Sequence, residues 1–302
     1  MNNIHNLTVV ILTYKTNEKI LTDCLNSIDP KAKILIVENS QNNLFKENLK
    51  KKYPDLNIIL SGKNLGYGGG NNLGLSKVKT RYALILNPDV ILAKNFFEEI
   101  QIYLDQQINF HIIGTKFKDD QTWKSSGTFS EFDKRIKLKN EEKSNHDSLE
   151  IADWVVGNAM LINLEKFETR NLFDDNIFLY FEEFDLCRRI KNIQGKIYSS
   201  KNLFIKHLGK KGSTDQNHNL EFEMLRNWHW MWSTFYYQKK YYGYLYAVYK
   251  NCGKLFRSIF NLFLSTILFN RKKRKIYYAR TFGTLNAMLG KKSRYRVKSL
   301  FQ

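Results

Sequence analysis

The sequence predicts an α/β fold with a mostly parallel central sheet, followed by a C-terminal helical extension that is basic and aromatic. Three observations carry that expectation. Short apolar, often β-branched runs at 7–13, 33–37, 57–60, 82–86 and 110–115 alternate with segments of helical period. The run Tyr82-Ala83-Leu84-Ile85-Leu86 halts at Asn87-Pro88-Asp89, where a proline without an N–H ends any sheet ladder. The charge is also uneven: residues 222–302 hold 17 Lys and Arg and one acid, Glu223, whereas residues 1–221 hold 31 basic and 28 acidic residues.

Taken in order, residues 7–13 form a first buried strand, because Val9, Val10 and Ile11 suit a pleated, two-sided core. Thr16 is expected to cap a helix running to about Ile28, with Ile20, Leu21, Leu25 and Ile28 on one face. A second strand ends in Glu38-Asn39-Ser40, a short helix follows over 44–52, and 57–60 is a third strand. The stretch from Asn64 to Gly74 holds five glycines. Glycine is a poor helix former, so this stretch is expected to be a loop whose backbone approaches a ligand. It fits neither the G-x-x-x-x-G-K-[ST] phosphate loop nor the dinucleotide fingerprint. A helix at 94–107 and a strand at 110–115 complete a β-α-β-α-β-α-β-α-β series, which implies right-handed crossovers.

Residues 118–150 are polar and charged and read as a long loop or a small excursion. Order resumes at 153–162. A helix is expected to start at Glu182-Glu183-Phe184-Asp185 and to end near Gly195. A strand at 196–199 and a loop from His207 to Ser213 follow. Carboxylates suit a helix start, although that accounts for one or two of Glu182, Glu183 and Asp185 more readily than for three.

The chain's 302 residues, 43% hydrophobic, suffice for one large domain or a domain with an appendage. Three scattered cysteines, Cys24, Cys187 and Cys252, suggest neither a disulfide framework nor a cysteine zinc site, and fit a reducing compartment. The polar opening residues are not expected to be a signal peptide. No run reaches the roughly 18 apolar residues of a spanning helix. Asp89 falls at the carboxyl end of a strand, where open α/β sheets bind ligands. A carboxylate there can hold Mg2+ or Mn2+ against a diphosphate, or be no more than a turn residue.

Several of these stretches together resemble a known family. Thr13-Tyr14, Glu38-Asn39-Ser40, Asn64-x-Gly66 with Asn72-x-Gly74, Asn87-Pro88-Asp89, Val156-Gly157-Asn158-Ala159-Met160, Tyr180-Phe181-Glu182-Glu183-Phe184-Asp185-Leu186-Cys187-x-Arg189 and His207 occur in that order. The order is similar to that of family 2 glycosyltransferases, above all bacterial rhamnosyltransferases of cell-surface polysaccharide (O-antigen) synthesis. The resemblance implies a glycosyltransferase A fold, Rossmann-like with a mostly parallel sheet, and an inverting transfer from a nucleotide-sugar. Thr13, Tyr14, Glu38 and Asn39 would lie beside the nucleoside. Asn64, Gly66, Asn72 and Asn87 would line the donor. Asp89, with His207, would bind a divalent cation, Mg2+ or Mn2+. Glu183 would be the general base, with Glu182 and Asp185 shaping the acceptor pocket. Two departures stand out: Glu38-Asn39 replaces the usual Asp-Asn, and Glu182-Glu183 replaces Glu-Asp.

The expected organisation is therefore a nucleotide-sugar glycosyltransferase domain over 1–220 and a helical, membrane-associating extension over 221–302. The expected donor is dTDP-rhamnose, with UDP-linked or other hexosyl, galactofuranosyl or N-acetylhexosaminyl donors as alternatives. The acceptor would be a saccharide or lipid-linked saccharide. In the tail, an apolar run at 258–269 precedes Arg271-Lys272-Lys273-Arg274-Lys275, which suggests attachment to an anionic membrane surface, from the cytoplasmic side of the cell membrane. The rival reading is a non-catalytic sugar-binding or nucleic-acid-binding protein. Nucleic acid is not the expected partner, because the excess charge avoids the α/β region and no recognition motif is present.

Overall fold

The computed structural model describes residues 3–117, 124–131, 144, 146–208, 219–293 and 295–296. Much of the expected 118–150 loop, and the end of the expected 207–213 loop, lie outside the described residues. The chain forms two compact units: one from Met1–Asp174 and Glu183–Thr214, the other from Asp175–Glu182 and Asp215–Gln302.

The first unit contains, in order, β1 (Leu7–Thr13), α1 (Glu18–Asn26), β2 (Lys33–Glu38), α2 (Asn43–Lys52), β3 (Asn57–Leu60), α3 (Gly66–Leu75), β4 (Tyr82–Leu86), β5 (Val90–Leu92), α4 (Phe96–Asp105) and β6 (Ile112–Phe117). It continues through β7 (Ser126–Gly127), β8 (Leu149–Ile151), β9 (Trp154–Val155), β10 (Ala159–Asn163), α5 (Glu182–Asn192) and β11 (Ile197–His207). Nine strands form one sheet in the order β3-β2-β1-β4-β10-β6-β11-β5, with β8 on β11. β2 and β4 flank β1 in parallel register, β3 joins β2 in parallel, and β11 runs parallel to β6. β10 enters antiparallel between β4 and β6.

Alternation along the strands makes two cores, one on each face. Leu7, Val9 and Ile11 pack with Leu21 of α1, Phe45 of α2 and Phe96 of α4. Val10 packs on the other face with Leu75 of α3 and Leu186 of α5. This period of two, with helices on both faces, is what the buried runs of a doubly wound sheet produce.

Several local expectations are corrected. Asn17, not Thr16, caps α1, accepting from the N–H groups of Lys19 and Ile20; the Thr16 hydroxyl instead accepts from Tyr14 N–H at 3.2 Å. The glycine-rich stretch is a helix, α3, rather than a loop. Its glycines are there for packing: a Cβ on Gly70 would stand 2.4 Å from Leu12 Cδ1, and one on Gly74 2.5 Å from Val10 Cγ1. Close approach to the sheet outweighs the intrinsic cost of about 1 kcal/mol per glycine. After α5 the left-handed residue is Gln194, at φ +57°, while Gly195 is needed because a Cβ there would meet Ile190 O at 2.9 Å. Finally, β11 continues past 199 to His207, with a register shift between Ser199 and Phe204, because its far end pairs antiparallel with β5.

The second unit is helical: α6 (Asn219–Tyr242), α7 (Tyr244–Ile267) and α8 (Arg271–Met288). Trp228, Trp232, Phe235, Ala247, Ala279 and Ala287 form its core. Gly283 allows α8 to touch the backbone of α6, since a Cβ there would lie 2.4 Å from Trp228 O. The segment that precedes α5 belongs to this unit, and Ser233 Oγ donates to Leu179 O at 2.8 Å.

Candidate active site

The carboxyl ends of β1 and β2, with the start of α3, supply the first group of residues. Thr13 is paired with Glu38 in register. The Thr13 hydroxyl donates to Glu38 Oε2 at 2.6 Å and the Ser40 hydroxyl to Oε1 at 2.5 Å. Burial pushes the Glu38 carboxyl above its ordinary range, and the two hydroxyl bonds pull against that shift. Asn39 ties this end of β2 to the start of α3: its amide donates to Gly66 O at 3.0 Å and Asn64 Oδ1 at 3.2 Å, and its oxygen accepts from Leu65 N–H. Asn64 Oδ1 also accepts from Gly66 N–H at 2.9 Å. Gly66 sits at φ +80°, a backbone region glycine adopts without strain. Thr13, Glu38, Asn39, Asn64 and Gly66 thus form one bonded cluster, with the partly exposed Tyr14 following Thr13. Asn72 stands apart from it. Its side chain both donates to Phe173 O and accepts from Phe173 N–H, each at 2.9 Å.

The second group lies where β4 gives way to β5. Asn87 N–H donates to Asn158 O at 2.8 Å, and its side-chain amide reaches Asn158 Oδ1 at 3.3 Å. Asp89 is followed at once by β5, whose Val90 pairs with His207 at the end of β11. The pairing brings Asp89 Oδ2 to 3.3 Å from His207 Nε2, and Leu208 N–H donates to Asp89 O at 2.9 Å. Cys24 of α1 is buried beside this turn, donating to Asn87 O at 3.6 Å. Burial, with the Asp89 charge adding, pushes its thiol up to about 12, so it is a packing residue rather than a thiolate.

Whether these residues suit a divalent cation is a question of donor chemistry. Among the described residues no cluster of three or more His, Cys, Asp or Glu side chains could hold a metal. Asp89 and His207 nevertheless supply one carboxylate and one imidazole side by side. A hard cation that keeps waters and takes substrate phosphates as ligands requires no fuller protein cage. The pair therefore fits such an ion in a diphosphate complex.

The third group begins α5. Asp185 is fully buried and bonded to Arg189 Nε at 2.9 Å; Arg189 also donates to Leu172 O. Glu182 is only 2% exposed, whereas Glu183 is partly exposed. Burial of the Glu183 carboxyl pushes it above its ordinary value, the direction that suits a base working near neutral pH.

One segment that motif reasoning left without a role links these groups. Trp154 stacks on Phe184 of α5 at 4.9 Å between centroids. The Val155 backbone contacts the Cys187 thiol of α5. Gly157 O accepts from the Tyr67 hydroxyl of α3, and Asn158 holds Asn87. Residues 154–158 thus touch α5, α3 and the Asn87 turn. The only signal for this in the sequence is the Val156-Gly157-Asn158 stretch itself.

Comparison with known proteins bears on the family and the fold. The chain is 26% identical over 198 residues to the low-salt glycan biosynthesis hexosyltransferase Agl10 of Haloferax volcanii, covering 62% of each chain. It is 29% identical over 189 residues to the rhamnosyltransferase WbbL of Escherichia coli K12, covering 57% of this chain and 71% of that protein. Among solved structures it resembles the mannosyltransferase PcManGT of Pyrobaculum calidifontis, in complex with GDP-Man and Mn2+, at TM-score 0.54 and 10% identity over 95% of this chain and 88% of that one. It also resembles GalNAc-T7 with UDP, GalNAc and Mn2+, at TM-score 0.53 and 13% identity, covering 77% of this chain and half of that one. The fold is thus of the glycosyltransferase A type. The profile of glycosyl transferase family 2 matches residues 8–163, more than half of the chain, and the chain belongs to that family.

Proposed function

We propose that this protein is an inverting glycosyltransferase that moves a hexose, with rhamnose from dTDP-rhamnose the first donor to test, onto a saccharide or lipid-linked acceptor in surface-glycan synthesis. The observation that carries the reading is the pairing of Asp89 with His207 at 3.3 Å, beyond the strand end at Asn87-Pro88. Its neighbours fit: the Thr13–Glu38 and Asn39–Asn64–Gly66 bonds pre-set the strand ends and the α3 start, so little order has to be imposed on binding. Similarity to a rhamnosyltransferase and to a hexosyltransferase supports the sugar class and leaves the particular sugar to experiment.

In this reading Tyr14, Asn64 and Gly66 face the nucleotide, while Glu38 and Asn39 hold the walls through Thr13, Ser40 and Leu65. Asn72 contributes by fixing the Phe173 backbone. Asp89 and His207 would hold the divalent cation. That ion supplies Lewis-acid stabilisation to the departing diphosphate, worth several kcal/mol. Glu183 takes the proton from the acceptor hydroxyl as attack develops, typically worth about 10²–10⁴-fold in rate. One base and one displacement invert the anomeric centre, so no second nucleophile is required. Glu182 and Asp185 orient the start of α5.

A thermal-shift panel of dTDP-, UDP- and GDP-sugars with Mn2+ or Mg2+ tests the donor, since a ligand of the native state raises Tm by mass action. The expected result is a shift with dTDP-rhamnose in the presence of metal, followed by metal-dependent donor turnover. No shift and no turnover with any nucleotide-sugar would replace transfer with a non-catalytic sugar-binding role.

A further inference from the structure

We infer that the outward face of α7 is a docking surface for the interface of an anionic lipid bilayer, with the helix lying along the surface. This rests on the second unit alone and is independent of the donor assignment. α7 is built inside out for a helix in water. Its buried residues are Ala247, Asn251, Ser258 and Ser265. Its solvent face carries Leu245, Tyr249, Phe256, Phe260, Phe263 and Ile267, which are 54–83% exposed. Their spacings of three, four and seven put them in one stripe. Over the 24 residues of α7 that stripe runs for about 36 Å. Single exposed hydrophobes are ordinary; a continuous row of aromatics is not.

α8 follows the same rule. It buries Ala279, Thr281, Gly283 and Thr284 and exposes Tyr278 and Phe282. On α7 and α8 the small residues face the bundle, against Trp228, Trp232 and Phe235 of α6, and the large ones face outward, a distribution that suits helices whose outer face meets hydrocarbon. Among the described residues, however, no helix is long and apolar enough to cross a membrane. An apolar stripe with flanking bases on a non-spanning helix lies in the interface instead.

Charge selects the lipid. Lys250, Lys254 and Arg257 form a second row on α7, at the same helical spacing beside the apolar stripe. The first turn of α8 opens with Arg271, Lys272 and Lys273 and contains no acid. Bases at a helix N-terminus oppose the macrodipole. Lys272 meets Glu223 at 3.3 Å, and Glu223 is the single acid between residues 222 and 302, where the net charge is +16. An external anionic surface relieves both repulsions. A second copy of the same surface would add an equal positive charge, and nucleic acid would leave the phenylalanines in water.

The test is sedimentation of the full chain with phosphatidylglycerol vesicles and with phosphatidylcholine vesicles, at low and high salt. Two triple variants at exposed positions accompany it: Phe256→Gln/Phe260→Gln/Phe263→Gln, and Arg271→Gln/Lys273→Gln/Arg274→Gln, each checked for native circular dichroism. The wild type should bind phosphatidylglycerol, release partly at high salt and bind phosphatidylcholine weakly. The phenylalanine variant should lose about tenfold or more in affinity at every salt concentration, because it removes the insertion that salt does not screen. The basic variant should lose affinity mainly at low salt. Unchanged vesicle binding by the phenylalanine variant overturns the proposal. So does a wild type that ignores phosphatidylglycerol vesicles, whether it instead forms a dimer that the phenylalanine variant dissociates or binds nucleic acid equally well with and without the phenylalanines.

Discussion

Replacing Gly74 with alanine tests why a helix is made of glycines. The new Cβ would lie 2.5 Å from Val10 Cγ1 and 3.0 Å from Val37 Cγ2, against an ordinary carbon–carbon separation of about 3.5–4.0 Å. Something must therefore move by about 1 Å. Val10 and Val37 are fully buried on adjacent strands, and β-branched side chains have one preferred rotamer to occupy. The displacement falls on α3 or on the sheet, at the usual overpacking cost of about 1–3 kcal/mol. Alanine recovers about 1 kcal/mol of helix propensity. The net expectation is a loss of up to about 2 kcal/mol, at roughly 2–4 °C of Tm per kcal/mol for a chain of this class. Gly70→Ala should cost less, because its obstacle is the flexible end of Leu12. Gly253 provides the control. It is helical, exposed and has nothing within 4 Å of its would-be Cβ, so Gly253→Ala should stabilise by about 0.5–1 kcal/mol. Calorimetry of the three variants reads the differences. A Gly74→Ala protein as stable as the wild type, with Gly253→Ala no better than neutral, would refute the packing explanation.

Glu183→Gln should lower kcat by about 10²–10⁴-fold while donor affinity is kept, and Glu182→Gln should be milder; a reversed order in steady-state kinetics would move the base to Glu182. Because the folded protein raises the Glu183 carboxyl above 4.5, it binds that proton more tightly than the unfolded chain does. Stability from this group is therefore lost as pH rises from 4.5 through the folded value. The glutamine variant should gain stability over the wild type at neutral pH and lose the advantage below pH 4.5 in denaturant titrations. Asp89→Asn should abolish most metal-dependent turnover with an unchanged circular dichroism spectrum, and EDTA should inhibit the wild type; full activity in either case removes the metal role. His229 is held by Ser293 and Tyr295 O, each at 2.9 Å, and burial depresses its imidazole to about 3. The second unit should lose stability as pH falls from 6.5 towards 3, and His229→Gln should flatten that dependence in thermal melts.

The α/β class, the Asn87-Pro88-Asp89 strand end, the three carboxylates at the start of α5 and the segregation of positive charge were all legible in the sequence. Each is written in local period, in a proline's missing N–H or in simple charge counts. The family was legible because its motifs lie at strand ends in a set order. Partnership across the fold was not. The family resemblance names His207 with Asp89, but by its own neighbours His207 is a loop residue, and it is the pairing of β11 with β5 that sets the imidazole beside Asp89. Asn72 looks like a ligand residue until its amide is found on the Phe173 backbone. The α3 glycines suggest a loop by propensity, and only the proximity of Val10 and Leu12 explains a helix there. The apolar run near 260 was visible as composition, whereas the face it presents depended on which side of α7 packs, and that side is Ala247, Asn251, Ser258 and Ser265. Local chemistry chooses the elements; long-range contact, which no short window contains, decides which of their atoms meet.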